Sequence, residues 1–186
     1  PNPQNPDRRG PAQTPDPADH GRESVNRYNT AQPENVQRKK DQLSAETGRS
    51  YRLFDYYGDP EADSVIVAMG SGSSTVQETV DWLNENSEGR YGVIVVRLFR
   101  PFSHEHLIAA LPKSASRIAV LDRTKEPGSN GEPLYQDVMT ALAQALSEGR
   151  IERMPLITGG RYGLSSKEFT PAMVKTFFDN LVAEKP

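Results

Sequence analysis

The sequence predicts an α/β fold in which a largely parallel sheet carries helices on both faces. From Ser64 onward, short apolar runs typical of buried strands alternate with amphipathic segments of helical period. Strands that alternate with helices pair in parallel, because each helix carries the chain back across the sheet. The 186 residues suffice for one such domain with some additional sequence.

The individual elements follow from their composition and from their start and stop residues. Strands rich in β-branched or aromatic residues are predicted at 51–57, 64–69, 91–98, 117–121 and 154–158. Helices are predicted to open at Thr75, Ser103, Pro133 and Thr170. At the first of these, Thr75 and Glu78 have the spacing of a capping box, and Trp82 is expected in the core.

The first fifty residues differ in composition from the rest of the chain. Residues 1–33 hold seven prolines among polar residues, which predicts an extended arm that gains order only against a neighbouring surface. A superficial helix is predicted from Pro33 to Thr47, with Gly48 as its stop. We therefore expect an arm with a surface helix at 1–50 and an α/β domain at 51–186.

A glycine-rich turn, Gly70 to Ser74, lies between the second predicted strand and its helix. Glycines before a helix allow backbone N–H groups to bind a phosphate, which leaves open a stand-alone phosphate-binding module. The turn lacks the lysine of a P-loop and the third glycine of a dinucleotide motif, so a plain structural turn is the more ordinary interpretation.

Composition excludes several classes of function. The net charge of −3 and the pI near 5.7 give no basic surface for nucleic acid. The chain has no cysteine, and His104 and His106 are two residues apart, so they do not face one way on a helix. No apolar run reaches membrane-spanning length. We expect no catalytic, cofactor-binding or metal-binding residue in this chain. Because the chain opens on Pro1 rather than Met, we expect it to be a segment of a longer protein.

The candidate site is a pair of loops that follow the last two strands. Leu121 runs into a charged, turn-rich loop, and a second loop follows Gly159. Because the carboxyl ends of parallel strands meet at one edge of a sheet, both loops should emerge together. We call the following residues the contact edge and expect them to bind another domain: Arg123, Thr124, Lys125, Glu126, Gly128, Arg161 and Tyr162. The alternative is that their charges only form salt bridges that brace the two loops.

Several strings of residues resemble one enzyme family along nearly the whole chain. They include Leu121-Asp122-Arg123-Thr124-Lys125-Glu126-Pro127-Gly128, Gly159-Gly160-Arg161-Tyr162-Gly163-Leu164-Ser165-Ser166 and Arg97-Leu98-Phe99-Arg100-Pro101-Phe102. These strings resemble pyruvate:ferredoxin (flavodoxin) oxidoreductase, and in particular its second domain, which is similar to the transketolase C-terminal domain, with the preceding linker arm.

The resemblance implies a three-layer α/β/α domain whose sheet has five strands, mostly parallel, with the first strand antiparallel. It implies an assembly role in an enzyme that converts pyruvate and CoA to acetyl-CoA, CO2 and reduced ferredoxin. Thiamine diphosphate, Mg and [4Fe-4S] clusters, binding of ferredoxin or flavodoxin, and a homodimer are implied for that parent enzyme only. The implied location is the cytoplasm, or a hydrogenosome- or mitochondrion-like organelle in a eukaryote. A related non-catalytic domain occurs in a sulfite reductase flavoprotein, which remains the alternative.

Overall fold

A computed structural model describes Gln4 and residues 14–183. Five strands form one sheet in the order β1-β3-β2-β4-β5: β1 (Phe54–Gly58), β2 (Ser64–Met69), β3 (Tyr91–Val96), β4 (Arg117–Asp122) and β5 (Leu156–Arg161). Strand β1 pairs antiparallel with β3, and the other three pairings are parallel. The fold class, including the antiparallel first strand, is confirmed.

Six α-helices and one short 3-10 helix (Leu164–Ser166) accompany the sheet over the described residues: α1 (Pro15–Glu23), α2 (Asn26–Thr47), α3 (Gly72–Asn86), α4 (His104–Ala110), α5 (Pro133–Ser147) and α6 (Pro171–Leu181). Leu107 of α4 and Leu134, Val138 and Leu142 of α5 pack on one face of the sheet. On the other face, Val76, Val80 and Leu83 of α3 meet Val174 and Phe178 of α6. The central strands are almost wholly buried, as expected for a sheet covered on both faces.

The expectation of an extended arm is wrong for residues 15–33. Pro15 stands in the first turn of α1, where its missing N–H costs nothing, and α2 begins at Asn26 rather than Pro33. The backbone of α2 continues as helix through Pro33, which lies inside it. Residues 1–3 and 5–13 of the predicted arm lie outside the described residues.

Helix α2 attaches to the start of the sheet through few contacts. Pro33 is its buried residue, and the Gln37 side chain donates to Tyr51 O and accepts from Leu53 N, both at 3.1 Å. The helix ends as predicted at Gly48, whose φ of 70° is left-handed. Helix α1 buries none of its residues, so the α1–α2 segment stands largely apart from the core.

Several sequence predictions differ from the structure, and β1 begins at Phe54 rather than Tyr51. Helix α3 begins at Gly72, so Thr75 lies inside it and forms no capping box. Trp82 is 54% exposed instead of being in the core, because Val76, Val80 and Leu83 take the buried face of that helix. Strand β5 continues through Gly159 and Gly160, which pair with Val120 and Leu121, although glycine is poor in strands.

Among the residues the model describes, no helix is both long enough and apolar enough to cross a bilayer.

Candidate functional site

The structure brings the two predicted loops together at the carboxyl ends of β4 and β5. In the strand register Asp122 faces Arg161, so the loops start side by side. Arg123 Nε donates to Gly163 O at 3.2 Å, which joins the first loop to the second. The shared edge predicted from topology is therefore present.

Glu132 lies at the centre of this edge, and the sequence analysis did not single it out. Glu132 is only 5% exposed, and it is the residue immediately before α5. Glu132 Oε1 accepts a hydrogen bond from Arg161 at 2.5 Å and lies 3.9 Å from Lys125 Nζ. Glu132 Oε2 accepts from the backbone N–H of Glu126 at 2.6 Å. The hydrogen bond from Arg161 holds the pKa of Glu132 below its usual value.

Asp122 is a second buried carboxylate that holds the loop in place. It is 1% exposed, and its two oxygens accept the backbone N–H groups of Leu134 at 2.9 Å and Tyr135 at 3.1 Å. These are donors in the first turn of α5, which lack partners within the helix. Burial raises the pKa of Asp122, while the two N–H donors oppose that shift. The strand end and the helix start are thus joined by one side chain.

Tyr162 belongs to the core and not to the surface, which corrects its place in the predicted contact edge. It is 8% exposed, and its Oη donates to Met69 O at 3.0 Å. Its ring lies 4.3 Å from that of Phe169, centroid to centroid. Burial raises the pKa of the phenol.

The other residues of the contact edge remain accessible. Arg123, Lys125, Glu126, Gly128 and Arg161 are exposed, and Thr124 is half-buried. Two of the cations nevertheless contact Glu132, so the loops also brace each other, as the alternative interpretation holds. Their contact with another domain stays a prediction.

The glycine-rich turn has a structural explanation. Backbone N–H groups of Ser73 and Ser74 already donate to Gly70 O and Ser71 O, and Ser73 Oγ donates to Gly70 O. A Cβ at Gly72 would lie 2.7 Å from the Tyr162 ring. The ring therefore occupies the space over the turn, which requires glycine for packing.

One serine–histidine contact was not singled out in the sequence analysis. Ser103 Oγ lies 2.8 Å from His106 Nδ1 and accepts the His106 backbone N–H at 3.5 Å. His106 Nε2 is 3.8 Å from Glu34 Oε1 on α2. The Ser103 side chain is the N-cap of α4, so this group caps a helix and ties α2 to α4.

The metal ions and clusters implied by the resemblance for the parent enzyme can be compared with the ligands that this chain offers. Within residues 14–183, no group of three or more His, Asp or Glu side chains could hold a metal ion. The whole chain lacks the cysteines that ligate iron–sulfur clusters. We accordingly assign no step of thiamine or cluster chemistry to these residues.

Comparison with known proteins identifies the family. Residues 62–163 match the family described as pyruvate:ferredoxin oxidoreductase core domain II. The chain is 55% identical over 184 residues to pyruvate-flavodoxin oxidoreductase of Trichormus variabilis, with 99% of this chain and 15% of that protein covered. It is 54% identical over 185 residues to pyruvate:ferredoxin oxidoreductase of Moorella thermoacetica, covering 100% of this chain and 15% of the relative.

A solved structure supports the fold. A 2-oxoglutarate:ferredoxin oxidoreductase from Magnetococcus marinus superposes with a TM-score of 0.50 at 18% identity, covering 92% of this chain and 25% of that one. The chain spans only about 15% of the length of these two sequence relatives. With a match over residues 62–163 and high identity along the whole length, this chain belongs to the family of pyruvate:ferredoxin oxidoreductase core domain II.

Proposed function

We propose that this chain is an assembly domain of a thiamine-diphosphate-dependent pyruvate:ferredoxin or flavodoxin oxidoreductase. The observation that carries the proposal is the pattern of coverage: half or more of the residues are identical over the whole chain, yet the match takes up 15% of the relatives. A segment of that size in a longer enzyme contributes one domain among several.

The chemistry of the contact edge supports an assembly role. Its buried carboxylates are already engaged: Asp122 accepts N–H donors of α5, and Glu132 accepts from Arg161. Neither group is left free to act as a general base. The exposed residues combine both signs of charge, which suits a polar contact between domains.

In the same proposal the reacting groups lie in the rest of the enzyme. That part would bind thiamine diphosphate, Mg and [4Fe-4S] clusters, accept CoA, and transfer electrons to ferredoxin or flavodoxin. The complete oxidoreductase would convert pyruvate and CoA to acetyl-CoA and CO2 as a homodimer in the cytoplasm.

The N-terminal helices fit a second contact in this assembly. Helix α1 buries none of its residues, while Val25 and Tyr28 beside it are 46% and 55% exposed. Apolar side chains displayed on a segment with so few internal contacts are suited to a neighbouring surface. We propose that this segment packs on another domain or subunit, as the arm was expected to do.

An activity assay tests the proposed function. The purified chain, supplied with pyruvate, CoA, thiamine diphosphate, Mg²⁺ and an electron acceptor, should release no CO2 above the rate without protein. The complete oxidoreductase is the positive control under the same conditions. Measurable turnover by the chain alone would show that its own residues perform the chemistry, and the assembly role would then be wrong.

A further inference from the structure

We propose that the outer edge of β5 receives an extended segment from another part of the oxidoreductase, which adds a sixth strand to the sheet. This inference rests on the proposed function, because the added segment comes from outside this chain. It concerns residues that neither loop of the contact edge includes, apart from Arg161.

The hydrogen bonds of β5 show which backbone groups are left unpaired. The N–H of Leu156 donates to Ser116 O at 2.8 Å, and the N–H of Tyr162 donates to Asp122 O at 3.1 Å. Even-numbered residues of β5 therefore direct their backbone groups towards β4. Because direction alternates along a strand, the N–H and C=O groups of Ile157, Gly159 and Arg161 point outward. No hydrogen bond joins these backbone groups to any residue that the structure describes.

The two edges of the sheet differ in how they are protected. At the β1 edge, the Gln37 side chain of α2 bonds to Tyr51 O and Leu53 N just before the strand, and Phe54 is 2% exposed, whereas Tyr57 and Gly58 at the far end of β1 are exposed. At the β5 edge, Gly159 and Arg161 are exposed over a strand of six residues. Natural edge strands are usually shielded by proline, inward charges or a covering element. Strand β5 has no proline, and Arg161 is its one charged residue.

The surroundings of β5 define the partner's chemistry. Leu156 is 43% exposed at the start of the strand. The Arg161 guanidinium, the one charged group of β5, is paired with Glu132, so the edge does not depend on an ionic partner. The fitting occupant is an extended, largely apolar segment whose N–H and C=O groups complete the ladder, the mode known as strand addition.

The source of that segment follows from the length of the relatives. About 15% of each of these proteins matches this chain, so most of their polypeptide lies outside it. A strand from that remainder would satisfy six backbone groups that bond to no residue of this chain within the described range. It would also extend the interdomain contact from the loops down the side of the sheet.

Hydrogen exchange on the complete oxidoreductase tests this inference directly. The amides of Ile157, Gly159 and Arg161 should exchange at least a hundredfold more slowly in the complete enzyme than in this chain alone. Equal exchange in both would overturn the proposal. Protection that appears in the chain alone and rises with its concentration would also overturn it, because a second copy would then occupy the edge.

A matched pair of variants isolates the backbone group. Ile157→Pro removes an outward N–H without breaking a bond to β4, whereas Ile157→Ala removes a similar part of the side chain and keeps the N–H. Ile157→Pro should weaken assembly of the complete oxidoreductase at least tenfold more than Ile157→Ala. Equal assembly of the two variants would contradict strand addition.

These outcomes are separable from those of the activity assay. Turnover by the chain alone would overturn the assembly role whatever the exchange rates are. Rapid exchange at β5 in an active complete enzyme would overturn only the added strand. If the proline variant does not fold, the exchange measurement on the unmodified enzyme still decides the question.

Discussion

At the scale of single residues, the two loops of the contact edge are held together by Glu132, which the sequence analysis did not single out. Glu132 takes a side-chain donor from β5, a backbone donor from the preceding loop and a nearby lysine. The Arg161 guanidinium is thereby fixed against its own domain. Lys125 and Arg161, which were expected to contact another domain, also pair with Glu132 and so help to hold the two loops together.

The pairing of Glu132 predicts a pH dependence of stability. The folded pKa of Glu132 lies below its usual value of 4.5, so its stabilising effect is complete above that pH. The effect is lost as the pH falls through the folded pKa, because the protonated group no longer pairs with Arg161. Arg161→Ala should therefore reduce stability at pH 7, and its difference from the unmodified chain should shrink below about pH 4.5.

Urea unfolding between pH 3 and pH 7 measures this difference, and Lys125→Ala is the matched control. Lys125 lies 3.9 Å from the same oxygen, so its removal should have the smaller and less pH-dependent effect. A constant destabilisation by Arg161→Ala across the whole range would show that the ion pair is not responsible.

At the scale of elements, helix α3 begins where it does because of a side chain ninety residues away. The Tyr162 ring lies over Gly72 and its hydroxyl bonds to Met69 O, so strand β2, helix α3 and the end of β5 meet at one point. A local capping motif at Thr75 would have started the helix one turn later. Packing of the ring determines the earlier start.

This contact predicts the sign of a glycine substitution. Alanine normally stabilises a helix relative to glycine by about 0.5–1 kcal/mol. Gly72→Ala should instead destabilise the chain by about 1–3 kcal/mol, the scale of overpacking, because its Cβ would lie 2.7 Å from the Tyr162 ring. Thermal and urea unfolding give the value.

Two further variants serve as controls for Gly72→Ala. Gly21→Ala in α1 has open space around the new Cβ and should be neutral or stabilising. In a Tyr162→Leu background, Gly72→Ala should lose most of its cost, since the ring is gone. An unchanged cost in that background would mean that the ring is not what excludes the methyl group.

At the scale of the whole molecule, most of the exposed residues proposed to contact other domains lie along one side of the sheet. The loop after β4, the exposed Arg161 and the free edge of β5 adjoin one another, since β4 and β5 are paired throughout. The α1–α2 segment provides a separate surface with exposed apolar side chains. A domain that packs on several neighbours is expected to show this distribution.

Reversal of one exposed charge tests the contact edge at this scale. The Glu126 side chain is exposed and forms no ion pair with any described residue. Glu126→Lys should change the stability of the isolated chain by no more than about 0.5 kcal/mol. It should weaken assembly of the complete oxidoreductase about fivefold or more, measured by sedimentation at a series of concentrations.

Glu152→Lys is the matched control for this experiment. Glu152 is also exposed but precedes β5, at the opposite end of the strand from the contact edge. Its reversal should leave assembly unchanged. Equal effects of the two reversals would indicate a response to net charge and would remove the support for a contact at Glu126.

The sequence by itself determined the elements whose signals are local. Apolar runs and helical periods predicted five strands and four helices of the α/β domain, and Gly48, Ser103 and Pro133 marked helix ends correctly. The shared edge of two loops also followed from parallel topology, and the family resemblance supplied the antiparallel direction of the first strand. The strands, helices and helix ends depend on neighbours a few residues away, so a single chain can reveal them.

Only the tertiary structure decided which side chains at the edge are buried and which are free. Glu132, Asp122 and Tyr162 acquire their roles from partners that lie 6 to 93 residues away in the chain. Gly159 and Gly160 likewise form part of β5 because they pair with β4 and because the rings of Tyr135 and Phe177 pack against them. Long-range packing overrides local propensity at these positions, because burial and ladder hydrogen bonds outweigh a preference of about 1 kcal/mol.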